Sequence, residues 1–266
     1  MTTKNIIEVK NFAMRFGNKT VIRDLSFEVH RGETFGFLGS NGSGKTTTLR
    51  ALLGIYEPTH GELLINNQPY DVAGKTRIGY LPEERGLYKK ESVIDTMVYF
   101  GQLKGMLRDD AYQFALEYLA KVGLTGYQQM RLDKLSGGQQ QKVQLGITIM
   151  GDPELLILDE PTKGFDPVNR RLLMDMIADL RKRGATIMMV SHQMDEIERL
   201  CDRVLLLKDG AAKEYGTVAA VRKKYDGAHI EEIFIQIYGD TDEIGERFSL
   251  NEMKSSDKRN RRKGNK

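Results

Sequence analysis

The chain opens on alternation. Ile7 and Val9, then Leu25, Phe27 and Val29, repeat with a period of two, which predicts half-buried strands. ETFGFL (33–38) is short and largely apolar and predicts a third strand. A glycine-rich turn follows, then TTTLRALLG, a helix stopped at Gly54. GELLIN (61–66) and RIGYLP (77–82) predict two further strands. From about 87 to 150 the texture changes, and SVIDTMVYFGQLKG and DDAYQFALEYLAKVG both carry helical spacing. In the second, Ala111, Phe114, Ala115, Tyr118, Leu119 and Val122 form one stripe, with Asp109 or Asp110 placed to cap the start.

Beyond 150 the pattern becomes regular. LLILD (155–159) predicts a buried strand, DPVNRRLLMDMIADLRKRG an amphipathic helix ended by Gly184, and ATIMMVS a second buried strand. MDEIERL predicts a short helix, and RVLLLKDG a strand entering a turn at Asp209-Gly210. Short apolar strands alternating with helices imply a parallel sheet covered on both faces, into which the helical stretch 87–150 is inserted. Ile230, Ile233, Phe234 and Ile237 favour a C-terminal helix over a strand through Ile233, Ile235 and Ile237.

Composition narrows the class. With 40% apolar and 29% charged residues, 27 Gly and 6 Pro in 266 residues, the chain is globular, not collagenous, disordered or a coiled-coil rod. No apolar run approaches the ~18–20 residues of a membrane span. MTTKNIIEVK lacks the basic-then-apolar pattern of a signal peptide. Cys201 is the sole cysteine, which excludes an internal disulfide and argues against a four-ligand zinc site. A soluble cytosolic protein is expected. The net charge of +3 is concentrated at the end: residues 254–266 carry seven Lys and Arg against Asp257, leaving the rest mildly acidic.

The chemistry begins at GSNGSGKT (39–46), which matches G-x-x-x-x-G-K-[ST] between a predicted strand and a predicted helix. Gly39, Gly42 and Gly44 let the backbone wrap closely around phosphate, with Ser40, Asn41 and Ser43 supplying further N–H groups. The following helix, through Thr47, presents its positive end. Lys45 reaches the β- and γ-phosphates, and Thr46 offers its hydroxyl to Mg²⁺. The second element is LLILDE (155–160), an apolar strand ending in two carboxylates. Asp159 would serve the Mg²⁺ shell and Glu160 would polarise the attacking water.

The third element is LSGGQ (135–139), followed by QQKVQLGITIM. With it the chain resembles the ATP-binding cassette (ABC) ATPases over about residues 4–220. The resemblance implies an α/β fold: a RecA-like P-loop ATPase core with an N-terminal antiparallel β subdomain and an inserted α-helical subdomain. It divides the chain into 1–86 (β subdomain and first part of the core), 87–150 (helical, with the signature motif), 151–225 (second part of the core), 226–250 (a short C-terminal extension) and 251–266 (a basic, disordered tail). In such ATPases Ser136, Gly137, Gly138 and Gln139 act across a dimer, on ATP held by the partner copy.

Other positions follow from the resemblance. His192, in VSHQ, would contact the γ-phosphate. Asp166, in PTKGFDP, matches a dimer-contact aspartate, although capping of the next helix competes for it. Phe16 is the candidate for stacking on adenine, with Phe12 as competitor. Glu83 stands where the family usually has Gln. It can still ligate Mg²⁺, or be a plain loop carboxylate. Lys163 replaces a common Ser and Phe165 a usual Leu.

PEERGLY, GGQQQKVQ and IEEIFIQIYG resemble the branch of bacterial sodium-extrusion and drug- or peptide-export cassettes. The implied protein hydrolyses ATP with Mg²⁺ as a dimer of itself or with a paralogue. It would sit at the cytoplasmic face of the membrane, energising export through a separate integral membrane subunit. A soluble ABC-type ATPase, such as a cluster-assembly factor, is the alternative. No specific nucleic acid is implied, and the basic tail could touch anionic lipid weakly.

Overall fold

The computed structural model describes residues 5–70, 77–84 and 86–239; the basic tail lies outside the described residues. The N-terminal alternation folds into two long antiparallel strands, β1 (Asn5–Phe16) and β2 (Lys19–His30). The buried strand β3 (Thr34–Gly39) and helix α1 (Lys45–Leu52) follow, and β4 (His60–Ile65) returns to pair antiparallel with β1. Period two does not run unbroken through β1. Val9 pairs with Phe27 but Phe12 with Leu25, and Asn11 has a left-handed φ of 48°. This bulge returns Phe12 and Met14 to the buried side.

After β5 (Ile78–Leu81) the chain builds three helices, α2 (Val93–Leu103), α3 (Arg108–Lys121) and α4 (Gly137–Ile149). The stripe predicted on α3 is the packed one: Ala111, Ala115, Tyr118 and Leu119 are buried, and Gly101 of α2 admits Ala111 closely. The predicted cap is corrected. Leu107 is the N-cap without a side-chain bond, and Asp109 and Asp110 fall inside the first turn. There they face the helix's positive end as charges.

The remainder alternates: β6 (Leu155–Asp159), α5 (Pro167–Lys182), β7 (Thr186–Val190), α6 (Met194–Leu200), β8 (Arg203–Lys208), β9 (Ala211–Thr217), α7 (Val218–Lys224) and α8 (Ile230–Tyr238). The C-terminal segment is therefore helical. Among the described residues the strands form one sheet in the order β4-β1-β2-β9-β8-β3-β7-β6-β5. Strands β8, β3, β7, β6 and β5 are mutually parallel, while β9 is antiparallel to β8.

The apolar runs hide an alternation that only the sheet exposes. Leu155 and Ile157 pack with Phe35, Phe37 and the β1–β2 layer, whereas Leu156 and Leu158 pack with the α2–α4 and α5 side. Both faces are covered, as expected for a parallel sheet with crossover helices. The carboxyl ends of β3, β6 and β7 consequently lie side by side, with their following loops on one edge, where ligands bind in such sheets.

Candidate active site

At that edge lies a cleft of about 550 Å³. It is lined by Asn41, Gly42, Gly44, Lys45, Thr46 and Thr47 from the β3–α1 loop, and by Glu83, Asp159, Glu160 and His192 from the ends of three further strands. Backbone conformation explains the glycines. Gly42 and Gly44 have φ of 76° and 110°, and a Cβ at Gly39 would come within 2.6 Å of the Leu207 carbonyl. Gly44 is the N-cap of α1 with no side-chain cap, so the first N–H groups of the helix remain available to an anion.

Lys45 is buried, and its ammonium donates to the carbonyls of Gly39 at 2.7 Å and Ser40 at 3.0 Å. Burial lowers its pKa, partly offset by Glu160 and Asp159. Asp159, the last residue of β6, is 2% exposed, and burial with the nearby Glu83 charge pushes its pKa to about 6. Glu160 turns out of the strand with a left-handed φ of 51°. Burial pushes it to about 7, opposed by the His192 N–H, which donates to Oε2 at 3.3 Å.

His192 Nε2 lies 3.2 Å from Glu160 Oε1, near enough for an ion pair but out of line for a hydrogen bond, so Oε1 has no hydrogen-bond donor. Asp159 Oδ2 and Ser43 Oγ are likewise buried without a partner. Burial and the Lys45 charge lower the pKa of His192.

Glu83 reaches the cleft, but its Oε1 accepts a bond from Lys163 at 2.5 Å, and this ammonium holds its carboxyl below the usual range. Phe16 is 44% exposed and meets the Tyr56 ring edge-on, with centroids 5.3 Å apart, whereas Phe12 is fully buried. Phe12 is thereby removed as the stacking candidate; Phe16 itself stands outside the cleft lining.

The signature residues also stand outside the lining. Ser136 caps α4: its Oγ accepts from the Gln139 N–H at 3.3 Å, and Gln139 Oε1 accepts from the Ser136 N–H at 2.8 Å. Gly137 and Gly138 form the first turn, with Phe165 within 3.8 Å of a Cβ placed on Gly138. Asp166 caps α5, accepting from the N–H groups of Val168 and Asn169 at 2.9 Å each.

The structure adds residues that no motif marked. Lys19, Thr20, Val21 and Arg23 at the start of β2, and Asp209 and Gly210 in the β8–β9 turn, complete the cleft. The Asp209-Gly210 turn was legible, but not its seat against β2, where Gly210 accepts from the Arg23 N–H at 2.9 Å and a Cβ would strike the Val21 carbonyl.

The family profile described as ABC transporter matches residues 22–163. The chain belongs to the ABC transporter ATP-binding family. It is 45% identical over 225 residues to an ABC transporter ATP-binding protein of Methanocaldococcus jannaschii, covering 85% of this chain and 82% of that one. It is 35% identical over 243 residues to the Nod factor export ATP-binding protein I of Bradyrhizobium diazoefficiens, covering 90% and 78%. With the linearmycin resistance ATP-binding protein of Bacillus subtilis it shares 31% identity over 233 residues, 86% and 75%.

The ATP-binding subunit of an ABC transporter of known structure superposes with a TM-score of 0.81 at 27% identity, over 87% of this chain and 98% of that one. This ABC protein is thus an ATP-binding, ATP-hydrolysing subunit, and the comparisons give no support to the soluble alternative. Subunits of this family dimerise and pair with membrane subunits at the cytoplasmic side. Among the described residues no helix is long and apolar enough to cross a membrane.

Proposed function

We propose that the cleft binds ATP with Mg²⁺ and that its hydrolysis drives export through a separate membrane subunit. The observation carrying this reading is that residues from four distant stretches, Lys45 with Thr46, Glu83, Asp159 with Glu160, and His192, line one cleft. Export is supported by the Nod factor and linearmycin-resistance relatives.

The donor set fits Mg²⁺. Among the described residues no three His, Cys, Asp or Glu cluster as a self-sufficient metal cage, which suits an ion sharing its shell with phosphate oxygens. The Thr46 hydroxyl and the unpartnered Asp159 Oδ2 would hold it, with Glu83 as third candidate. Mg²⁺ held there would neutralise negative charge on the triphosphate. The chain's own residues do the rest. Backbone N–H groups of 39–47 and the start of α1 receive the phosphates, and Lys45 turns its ammonium from the loop carbonyls toward them. Glu160 orients water and takes its proton, while His192 holds the Glu160 carboxylate and faces the γ-phosphate. Phe16, on Tyr56, stacks on adenine.

Ser136 and the α4 start of a second copy complete the charge stabilisation, and Asp166 meets that copy at the interface. Within this scheme 87–150 works as the helical subdomain that carries Ser136, and the described part of 226–250, up to residue 239, as an appendage on the core. Glu160→Gln should bind ATP, lose hydrolysis by orders of magnitude and accumulate as a dimer in size-exclusion chromatography; wild-type turnover would remove Glu160 from this role. Co-expression with its membrane subunit should carry the chain into the membrane fraction, and a chain that stays outside it refutes the export reading.

A further inference from the structure

Two loops at the cleft meet in one contact. Lys163, in the β6–α5 loop, donates from Nζ to Glu83 Oε1, in the loop after β5, at 2.5 Å and across 80 residues of sequence. The other sides of both loops are held from within. Gln144 of α4 donates to the Glu84 carbonyl at 3.2 Å, and Gln141, one turn earlier, to the Pro161 carbonyl at 3.5 Å. Thr162 donates to Glu196 Oε2 at 3.1 Å in the buried base of α6.

The β6–α5 loop is thus anchored by buried bonds up to Thr162, and its next side chain reaches out to Glu83. The Lys163 and Glu83 side chains are 64% and 40% exposed. An ion pair this exposed adds little to stability, so its effect lies in charge and position. Glu83 lines the cleft together with Asp159 and Glu160. Without a cation beside it, Glu83 would put a third carboxylate on the wall that receives a triphosphate. With Lys163 in place that charge is partly offset and the carboxylate is turned toward the β6–α5 loop.

We propose that Lys163 is a positioning residue for ATP turnover, acting through Glu83: it offsets part of this carboxylate's charge at the cleft and ties the loop after β5 to the loop that leads to Asp166. The proposal rests on the cleft being the ATP site.

The test is a double-mutant cycle on the full chain, reading kcat and KM for ATP with Mg²⁺ in wild type, Lys163→Met, Glu83→Gln and the double variant, with Lys163→Arg as the conservative control. Lys163→Met should lower kcat/KM about tenfold where Glu83 is present and less than about twofold where it is Gln. Lys163→Arg should stay within about twofold of wild type, because it keeps the cation. Equal losses in both backgrounds, or no loss in either, overturn the proposal. Glu160→Gln run alongside reports on the cleft separately: wild-type turnover there would refute the ATP-site reading whatever the cycle shows.

Discussion

Glu160 and His192 meet twice. The His192 backbone N–H donates to Glu160 Oε2 at 3.3 Å, and its ring Nε2 stands 3.2 Å from Oε1. The first contact fixes where the carboxylate points, and the second leaves Oε1 buried without a hydrogen-bond donor. Because β6 and β7 are parallel neighbours, with Asp159 opposite Val190, two residues remote in sequence leave the sheet together.

Burial of Glu160 sets a pH dependence. Its pKa is raised to about 7, and a base must be ionised, so turnover should climb as pH rises through about 7. A rate profile flat from pH 5.5 to 8 would exclude it as the base.

The same shift bears on stability. A carboxyl whose folded pKa is raised stabilises fully below its unfolded pKa and loses that contribution as pH rises through the folded value, here about 7. Without nucleotide, Glu160→Gln should therefore melt with wild type at pH 5 but several degrees higher at pH 8, reflecting on the order of 2–3 kcal/mol. Calorimetry at the two pH values decides it.

Phe16→Ala tests adenine stacking. Base–aromatic stacking contributes about 1–3 kcal/mol, so ATP affinity should drop roughly 5- to 150-fold while tripolyphosphate affinity holds. Its exposure and single ring partner, Tyr56, predict little change in melting temperature. Equal loss for both ligands would point to damage of the phosphate loop instead.

Action of Ser136 in trans is tested by mixing two dead variants. Lys45→Ala and Ser136→Arg each spoil both sites of a homodimer, but a mixed dimer keeps one intact site. An equimolar mixture should recover roughly a quarter of wild-type ATPase activity from statistical pairing. No recovery would confine Ser136 to its visible work as the α4 cap.

The α3–α4 packing has a test of its own. A Cβ at Gly146 would fall 2.4 Å from the Tyr118 ring, whose hydroxyl is bound to the Lys142 carbonyl at 2.6 Å. Gly146→Ala should destabilise by about 1–3 kcal/mol through overpacking. Denaturant unfolding with an unchanged midpoint would refute this tight fit.

The sequence by itself determined the elements with strong local signals. Alternation marked β1 and β2, apolar runs marked β3 and β6–β8, and the 3.6-residue stripe marked α3, α5 and α8. The loop 39–46 and the pair Asp159-Glu160 stood out because phosphate chemistry restricts which residue types serve it, and His192 through the resemblance to the ABC ATPases. Tertiary structure decided what depends on partners distant in the chain. AAKEYGT has no apolar period, yet it is a strand because β8 pairs with it and Tyr215 packs on Phe35. Phe12 competed with the favoured Phe16 until folding buried the first in the core and left the second exposed at the strand end. Glu83 and Lys163 read as two separate departures, and folding made them one ion pair. Local patterns record what a residue does to its own backbone; which charges face one another is set by sheet order and crossovers, which short stretches of sequence do not encode.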